Sequence, residues 1–190
     1  MLEVIDNFVS EEYANTLEQM CKEEIPWHLD EYLSGPNYKN IDKQGFEYKP
    51  NRFGFYHFAL DQQGNKTMFA DKILPLAYSL EQKTGIKINN IYRIRLALTT
   101  SDDTEILHGS HIDMEEPHKV LLYYVNDSDG DTVMYNEFYT KEHGGDIDLT
   151  FKEKISPKKN RAVIFDGLRY HNSIKPIKQK HRFIININFI

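Results

Sequence analysis

The sequence predicts a mainly β fold with N-terminal helices, an α+β arrangement. A helical part at about 1–85 precedes an antiparallel barrel or jelly-roll core at about 86–190, in a single domain. Three observations predict it. Phe, Tyr and Trp make up 13% of the 190 residues, a share that favours strands. Apolar residues recur at helical spacing only before residue 86. After that point strand-like runs are separated by turn residues rather than by helices, which suits antiparallel pairing and not alternating βαβ units.

Taken in order, Leu2-Glu3-Val4-Ile5-Asp6-Asn7-Phe8-Val9 reads as a short strand running into a turn. Ser10 then caps a helix whose first turn carries Glu11 and Glu12, the charge preferred at a helix N-terminus. Tyr13, Ala14, Leu17, Met20 and Cys21 form its apolar face, and Pro26 bars its continuation. Cys21 has no second cysteine to pair with and reads as a small buried apolar residue. Residues 34–51 lack periodicity and read as a long surface loop or flap. An aromatic strand at 52–58 follows. A second helix covers roughly 66–83, with Pro75 requiring either a kink or a later start, and Gly85 as its stop.

The strand-rich half contains Ile91 to Thr99, Lys119 to Val125, Thr132 to Phe138, Arg161 to Phe165 and Arg182 to Ile190. Asp129-Gly130, Gly144-Gly145 and Pro157-Lys158-Lys159-Asn160 punctuate them. The run Asn126-Asp127-Ser128-Asp129-Gly130-Asp131 looks superficially like a calcium loop. It lacks the spacing and closing glutamate of one, so a hairpin turn is the better reading. On the last strand Phe183, Ile185, Ile187 and Phe189 share a face fit to pack under the helices. Arg182, Ile184, Asn186 and Asn188 share the other, and polar groups on an interior face imply a polar cavity.

Composition narrows the function classes. The net charge of -6 and a pI near 5.7 leave no electrostatic footprint for nucleic acid or an anionic membrane. No apolar stretch approaches a membrane span and no signal-peptide profile is visible, so a cytoplasmic setting is expected.

The chemistry-bearing motif is His111-Ile112-Asp113, in which residues i and i+2 of a strand point the same way. Two histidines and a carboxylate on one face leave coordination positions open on an iron ion. The same tripeptide pattern occurs at His28-Leu29-Asp30, which lies before the strand-rich half and reads as a solvated turn. His111 and Asp113 differ in their downstream company. His171 comes about sixty residues later, and Arg182 opens the final strand, where a guanidinium suits two-point capture of a carboxylate.

His111-x-Asp113, His171 and Arg182, in this order, resemble the double-stranded β-helix of the Fe(II)/2-oxoglutarate-dependent oxygenases. The surroundings resemble the prolyl-hydroxylase-like branch, phage-type members included. In that branch the opening strand-turn-helix is similar to residues 4–10, and the strand after the metal motif is similar to 119–126. The resemblance implies a dioxygenase that binds Fe(II) through His111, Asp113 and His171 and 2-oxoglutarate through Arg182. A tyrosine on the 119–126 strand would also contact 2-oxoglutarate. Register selects Tyr124 over Tyr123, with both as ordinary sheet aromatics as the alternative. Such an enzyme consumes O2, forms succinate and CO2, and hydroxylates a substrate. Peptidyl proline, a free amino acid and a small metabolite all stay open. Three departures are visible. Asp129-Gly130-Asp131 replaces a Gly-Gly pair, Ile184 replaces a serine, and Asn188 replaces the second arginine of nucleic-acid demethylases. The last argues against that branch.

Two other classes compete, a non-catalytic metal- or ligand-binding jelly roll and a cupin-type metalloenzyme, which usually has more histidines around the barrel. Among the remaining residues, His108 reads as surface or as support for the metal site, and His118, His143 and His181 as exposed or packing. Arg93 and Arg95 share a strand face, and either line the substrate mouth or are exposed charges. Phe53, Phe55, Tyr56 and His57 either border a substrate pocket or, the better reading, pack in the core.

Overall fold

The structure is a computed structural model that describes residues 1–31, 33, 53–103, 107–142 and 147–190. The flap expected at 34–51, His143 and the Gly144-Gly145 turn lie outside the described residues.

Two antiparallel sheets face one another. The larger is built from β1 (Leu2–Ile5), β2 (His28–Asp30), β3 (Gly54–Leu60), β4 (Ile91–Thr100), β5 (Lys119–Tyr124), β8 (Arg161–Asp166) and β10 (His181–Phe189). Its order is β1-β8-β5-β10-β4-β3-β2. The smaller contains β6 (Thr132–Phe138), β7 (Phe151–Ile155) and β9 (Arg169–Ser173), in the order β7-β6-β9. Isolated bridges Leu107↔Ile174 and His111↔His171 extend its β9 edge. This is the jelly-roll core expected, with the helices α1 (Glu11–Glu23) and α2 (Phe69–Thr84) preceding the strand-rich half.

Local chemistry explains both helices. Ser10 accepts a hydrogen bond from the Tyr13 N–H, closing the N-terminus of α1. Gly85 ends α2 in the left-handed conformation (φ 72), where a Cβ would be strained. The second helix begins at Phe69, a little later than expected, yet Pro75 still lies inside it. Both helices cover one face of the larger sheet. Leu17, Met20, Cys21, Ile73, Leu76 and Leu80 pack against Phe183, Ile185, Ile187 and Phe189 in one buried cluster. Each such side chain withdrawn from water stabilises the fold by about 1.5–3 kcal/mol. A second cluster, Val120, Leu122, Tyr124, Met134, Val163 and Phe165, fills the space between the sheets.

Several expectations need correction. His28-Leu29-Asp30 is not a turn but the edge strand β2, paired with Tyr56, Phe55 and Gly54. Residues 126–131 do not close a hairpin, because β5 and β6 belong to different sheets and this segment crosses between them. Its Asp129 carboxylate accepts from the N–H groups of Ile177, Lys178 and Gln179, pinning a second crossing segment. The strands β7 and β9 carry too many polar residues for their sequence to announce them.

Candidate metal centre

The last strand lies at the middle of the larger sheet, between β4 and β5. Its alternation sends Arg182, Ile184, Asn186 and Asn188 into the space between the sheets. The facing residues on β4 are Thr99 opposite Arg182, Ala97 opposite Ile184, Arg95 opposite Asn186 and Arg93 opposite Asn188. A cavity of about 60 Å³ opens there. Its wall includes His111, Asp113, His171, Arg182, Arg95 and Thr132. A larger hollow of about 460 Å³ beside α2 holds no histidine or cysteine in its lining, so chemistry rather than size selects the smaller one.

The candidate ligand atoms of His111, Asp113 and His171 all lie within 4.8 Å of one another. His111 does not sit on a regular strand as its sequence suggested. A single bridge joins it to His171, with Nα–H···O distances of 2.9 and 3.0 Å in the two directions. That pair of backbone bonds fixes the two imidazoles side by side, with ring centres 4.6 Å apart. Each ring is then oriented by its own chain. His111 Nδ1 lies 3.0 Å from the Gly109 carbonyl and His171 Nδ1 lies 3.0 Å from the Arg169 carbonyl. A carbonyl only accepts, so each Nδ1 carries the proton and each Nε2 keeps its lone pair for a metal. Burial, reinforced by the neighbouring His171, pushes His111 down to about 4. It is therefore neutral at ordinary pH, the form a ligand needs.

Asp113 is held by three side chains. Arg93 Nη2 pairs with Oδ1 at 2.9 Å, and the amides of Asn186 and Asn188 each donate to Oδ2 at 2.9 Å. Arg93 Nε also donates to Asn188 Oδ1 at 2.8 Å, which locks the clamp together. Burial alone would raise the Asp113 pKa. The charge of Arg93 and the nearby histidines, with the Asn186 hydrogen bond, outweigh it and hold the carboxyl well below the usual range. Sequence alternation puts Arg93, Asn186 and Asn188 on interior faces. It does not reveal that they converge on one carboxylate from distances of 20 and more positions along the chain.

Arg182 lies at the other end of this row, 3% exposed. Its Nη2 donates to Thr132 Oγ1 at 2.8 Å, and its Nε has no hydrogen-bond partner among the described residues. No carboxylate among them forms an ion pair with it. The Tyr124 hydroxyl donates to the same Thr132 Oγ1 at 2.7 Å, and the Arg182 guanidinium lies 5.5 Å from the Tyr124 ring. Tyr123 points the opposite way, into the helix-covered core, where its hydroxyl reaches Asn160. A buried cation with an unused donor, a hydroxyl beside it and open space before it is suited to an anion such as a carboxylate.

Other candidates fall into place. His108 is buried in the cavity wall rather than on the surface. His118 is buried at the turn between β8 and β9, where any Cβ on Gly167 would come within 2.0 Å of its ring. His28 stacks on His57 at the sheet edge. Arg93 and Arg95 are both interior. Of the aromatic group, His57 is buried while Phe53 is exposed. No helix is long and apolar enough to cross a membrane among the described residues.

No protein-family model matches the chain. No curated protein matches it either. Solved structures do. A Pseudomonas putida prolyl-4-hydroxylase superposes with a TM-score of 0.60 at 12% identity, over 99% of this chain and 91% of the other. The viral collagen prolyl hydroxylase of Paramecium Bursaria Chlorella virus-1 gives 0.54 at 16% identity, over 100% and 96%. SnoK, a non-heme alpha ketoglutarate dependent carbocyclase from nogalamycin biosynthesis, gives 0.69 at 10% identity, over 99% and 78%. At such identities the likeness shows a shared fold.

Proposed function

We propose that this chain, which has the fold of the prolyl-hydroxylase-like 2OG-Fe(II) oxygenases, is itself an Fe(II)- and 2-oxoglutarate-dependent dioxygenase that hydroxylates its substrate. The observation that carries this reading is the joint geometry of two poles in one cavity. His111, Asp113 and His171 converge at one, and the buried Arg182 with an unused donor stands at the other.

The donor set fits the metal. Two neutral imidazoles and one carboxylate form a site of mixed hardness that leaves positions open for other ligands, as iron(II) oxygenases require. Bound iron with 2-oxoglutarate supplies oxidising power from O2, with succinate and CO2 as co-products. The protein's share is positional. The backbone carbonyls of Gly109 and Arg169 keep the proton on each Nδ1 and aim each Nε2 inward. Arg93, Asn186 and Asn188 keep Asp113 ionised and fix its orientation. Arg182 holds the far carboxylate of 2-oxoglutarate, with the Tyr124 and Thr132 hydroxyls beside it. Phe165 stands edge-on to the His171 ring, 5.0 Å between centres, and with Leu122 and Ile184 it gives the cavity an apolar wall that excludes water.

Substitution at the three ligands tests the reading. His111→Ala, Asp113→Ala and His171→Ala are each expected to abolish iron-dependent conversion of 2-oxoglutarate to succinate, because one site cannot work with two of its ligands. His28→Ala, on the edge strand, keeps the metal. Full turnover by a folded Asp113→Ala protein would refute the assignment. The competing readings separate in the same assay. A binding module forms no succinate at all, and a zinc or manganese enzyme shows no dependence on iron.

A further inference from the structure

The two oxygens of Asp113 are held in different ways. Oδ2 accepts two directed hydrogen bonds, from the Asn186 and Asn188 amides at 2.9 Å each. Oδ1 instead faces the Arg93 guanidinium. Arg93 Nη2 lies 2.9 Å from it as an ion pair, yet that nitrogen makes no hydrogen bond among the described residues. Arg93 Nε donates elsewhere, to Asn188 Oδ1 at 2.8 Å. The amides therefore fix where the carboxylate points, and what the arginine adds to it is chiefly charge.

Little weakens that charge. The Arg93 side chain is 13% exposed and that of Asp113 6%, so water and salt screen the pair poorly. Among the described residues no other carboxylate lies within ion-pair distance of Arg93. Arg95, two residues on along the same face of β4, differs in having Asp30 at 3.7 Å to offset it. Burial acts to raise the Asp113 pKa, and the charge of Arg93 is the largest of the influences that oppose it.

A cation in contact with a metal ligand acts on the metal as well as on the ligand. Imidazole binds a metal as a neutral group, so Asp113 brings the only negative charge among the three candidate ligands. Arg93 cancels part of that charge and repels whatever ion the ligands hold. Repulsion grows with the charge of the ion, so it weighs more on iron(III) than on iron(II). Groups that surround the ligands of a metal tune its redox potential in this way.

We infer that Arg93, acting through Asp113, biases bound iron toward the ferrous state by disfavouring iron(III) electrostatically. The inference rests on the proposed function and adds a redox role to that same site. An oxygenase that works from iron(II) is idle while its iron is ferric, so the bias preserves the working form between substrates.

The experiment uses the whole chain loaded with Fe(II) under argon, without 2-oxoglutarate, so that the couple reports the protein's own groups. A mediated redox titration follows the ferric fraction by its EPR signal. The midpoint gives the ratio of ferric to ferrous affinity, in which a loss of orientation common to both states cancels. Arg93→Met should raise ferric relative to ferrous binding about 10-fold or more, a midpoint lower by about 59 mV or more for one electron. Arg93→Gln should show the same shift and serves if the methionine variant fails to fold. Arg93→Lys, which keeps the charge, should stay within about threefold of the parent ratio. Asn188→Leu should do the same, because it removes a hydrogen bond from the same carboxylate and no charge. A folded, iron-loaded Arg93→Met or Arg93→Gln with the parent midpoint overturns the inference, and so does an equal shift in Asn188→Leu. Loss of iron from both neutral variants overturns it as well, since removing a cation does not by charge weaken a cation site, and leaves Arg93 an orienting role alone. All these results leave the proposed function standing. A parent that takes up no iron overturns the proposed function and this inference with it.

Discussion

The two faces of β10 are made by one strand and held by different physics. On the helix side Phe183, Ile185, Ile187 and Phe189 join a continuous apolar cluster with both helices. Each contributes through area removed from water, and none depends on one particular partner. On the interior side Arg182, Asn186 and Asn188 each have a named acceptor, Thr132 or Asp113, at 2.8–2.9 Å. There the contribution is geometric, and it is spent on the site rather than on stability. The helix face is thus held by buried area, and the interior face by directed hydrogen bonds.

That contrast can be broken from either side. The largest expected effect is at Arg182. Arg182→Ala removes the ion pair proposed for the far carboxylate of 2-oxoglutarate, a loss of about 3–5 kcal/mol for a buried pair, or roughly 100-fold or more in affinity. Arg182→Lys restores only part, for want of the planar fork. Titration of the iron-loaded variants, followed by the metal-to-ligand charge-transfer band, measures it. Unchanged affinity in Arg182→Ala would assign the carboxylate to another residue.

On the helix face, Ile187→Ala should lower unfolding free energy by about 2–5 kcal/mol in a denaturant titration. The folded fraction should keep its metal affinity, since Ile187 points away from the site. A folded Ile187→Ala protein with lost metal binding would show that the faces are coupled. Asn188→Leu is the mirror experiment. It removes one donor from Asp113 and one acceptor from Arg93 while keeping the branched outline of the side chain. Metal affinity should fall about 10–100-fold, as for other residues that orient a ligand, with a smaller change in stability. Metal competition titration and denaturant unfolding, run on the same sample, separate the two effects.

The smallest effect lies far from both faces. The Arg161 side chain bonds to Asp6 and, with Lys158, holds its carboxyl down to about 2. A carboxylate whose folded pKa lies below its unfolded value adds stability at neutral pH, and this is lost as pH falls from about 4 to about 2. The pair is partly exposed, so solvent screening limits the contribution to under about 1 kcal/mol. Asp6→Asn should flatten stability against pH only in that acid window, and metal binding should not change.

Which parts of this were legible in the sequence follows from range. The period-two alternation of residues 182–189 reports a local property, and both of its faces are where alternation puts them. The helix ends were equally local, set by Ser10 and Gly85. Convergence is not local. Arg93, Asn186 and Asn188 meet at Asp113 because β4 and β10 are neighbours in register, and no spacing rule predicts that pairing. The edge strand β2 is too short for alternation to show, with the exposed Leu29 its one apolar residue, and only pairing with β3 makes it a strand. Strand β9, which carries His171, was hidden for another reason: Arg169-Tyr170-His171-Asn172-Ser173 is mostly polar because it faces a polar cavity.

The central position of β10 also dictates when the molecule can assemble. As the chain leaves the ribosome, β4 and β5 emerge well before residues 181–189, yet they are joined only through them. Until β10 arrives, the larger sheet lacks its middle and Asp113 lacks both of its amide donors. Closing it requires long-range pairing with loops of many residues on either side, the kind of step that slows folding. Completion of the sheet therefore also completes the candidate metal centre, and a nascent chain halted before β10 would hold Asp113 by Arg93 alone of its three side-chain partners.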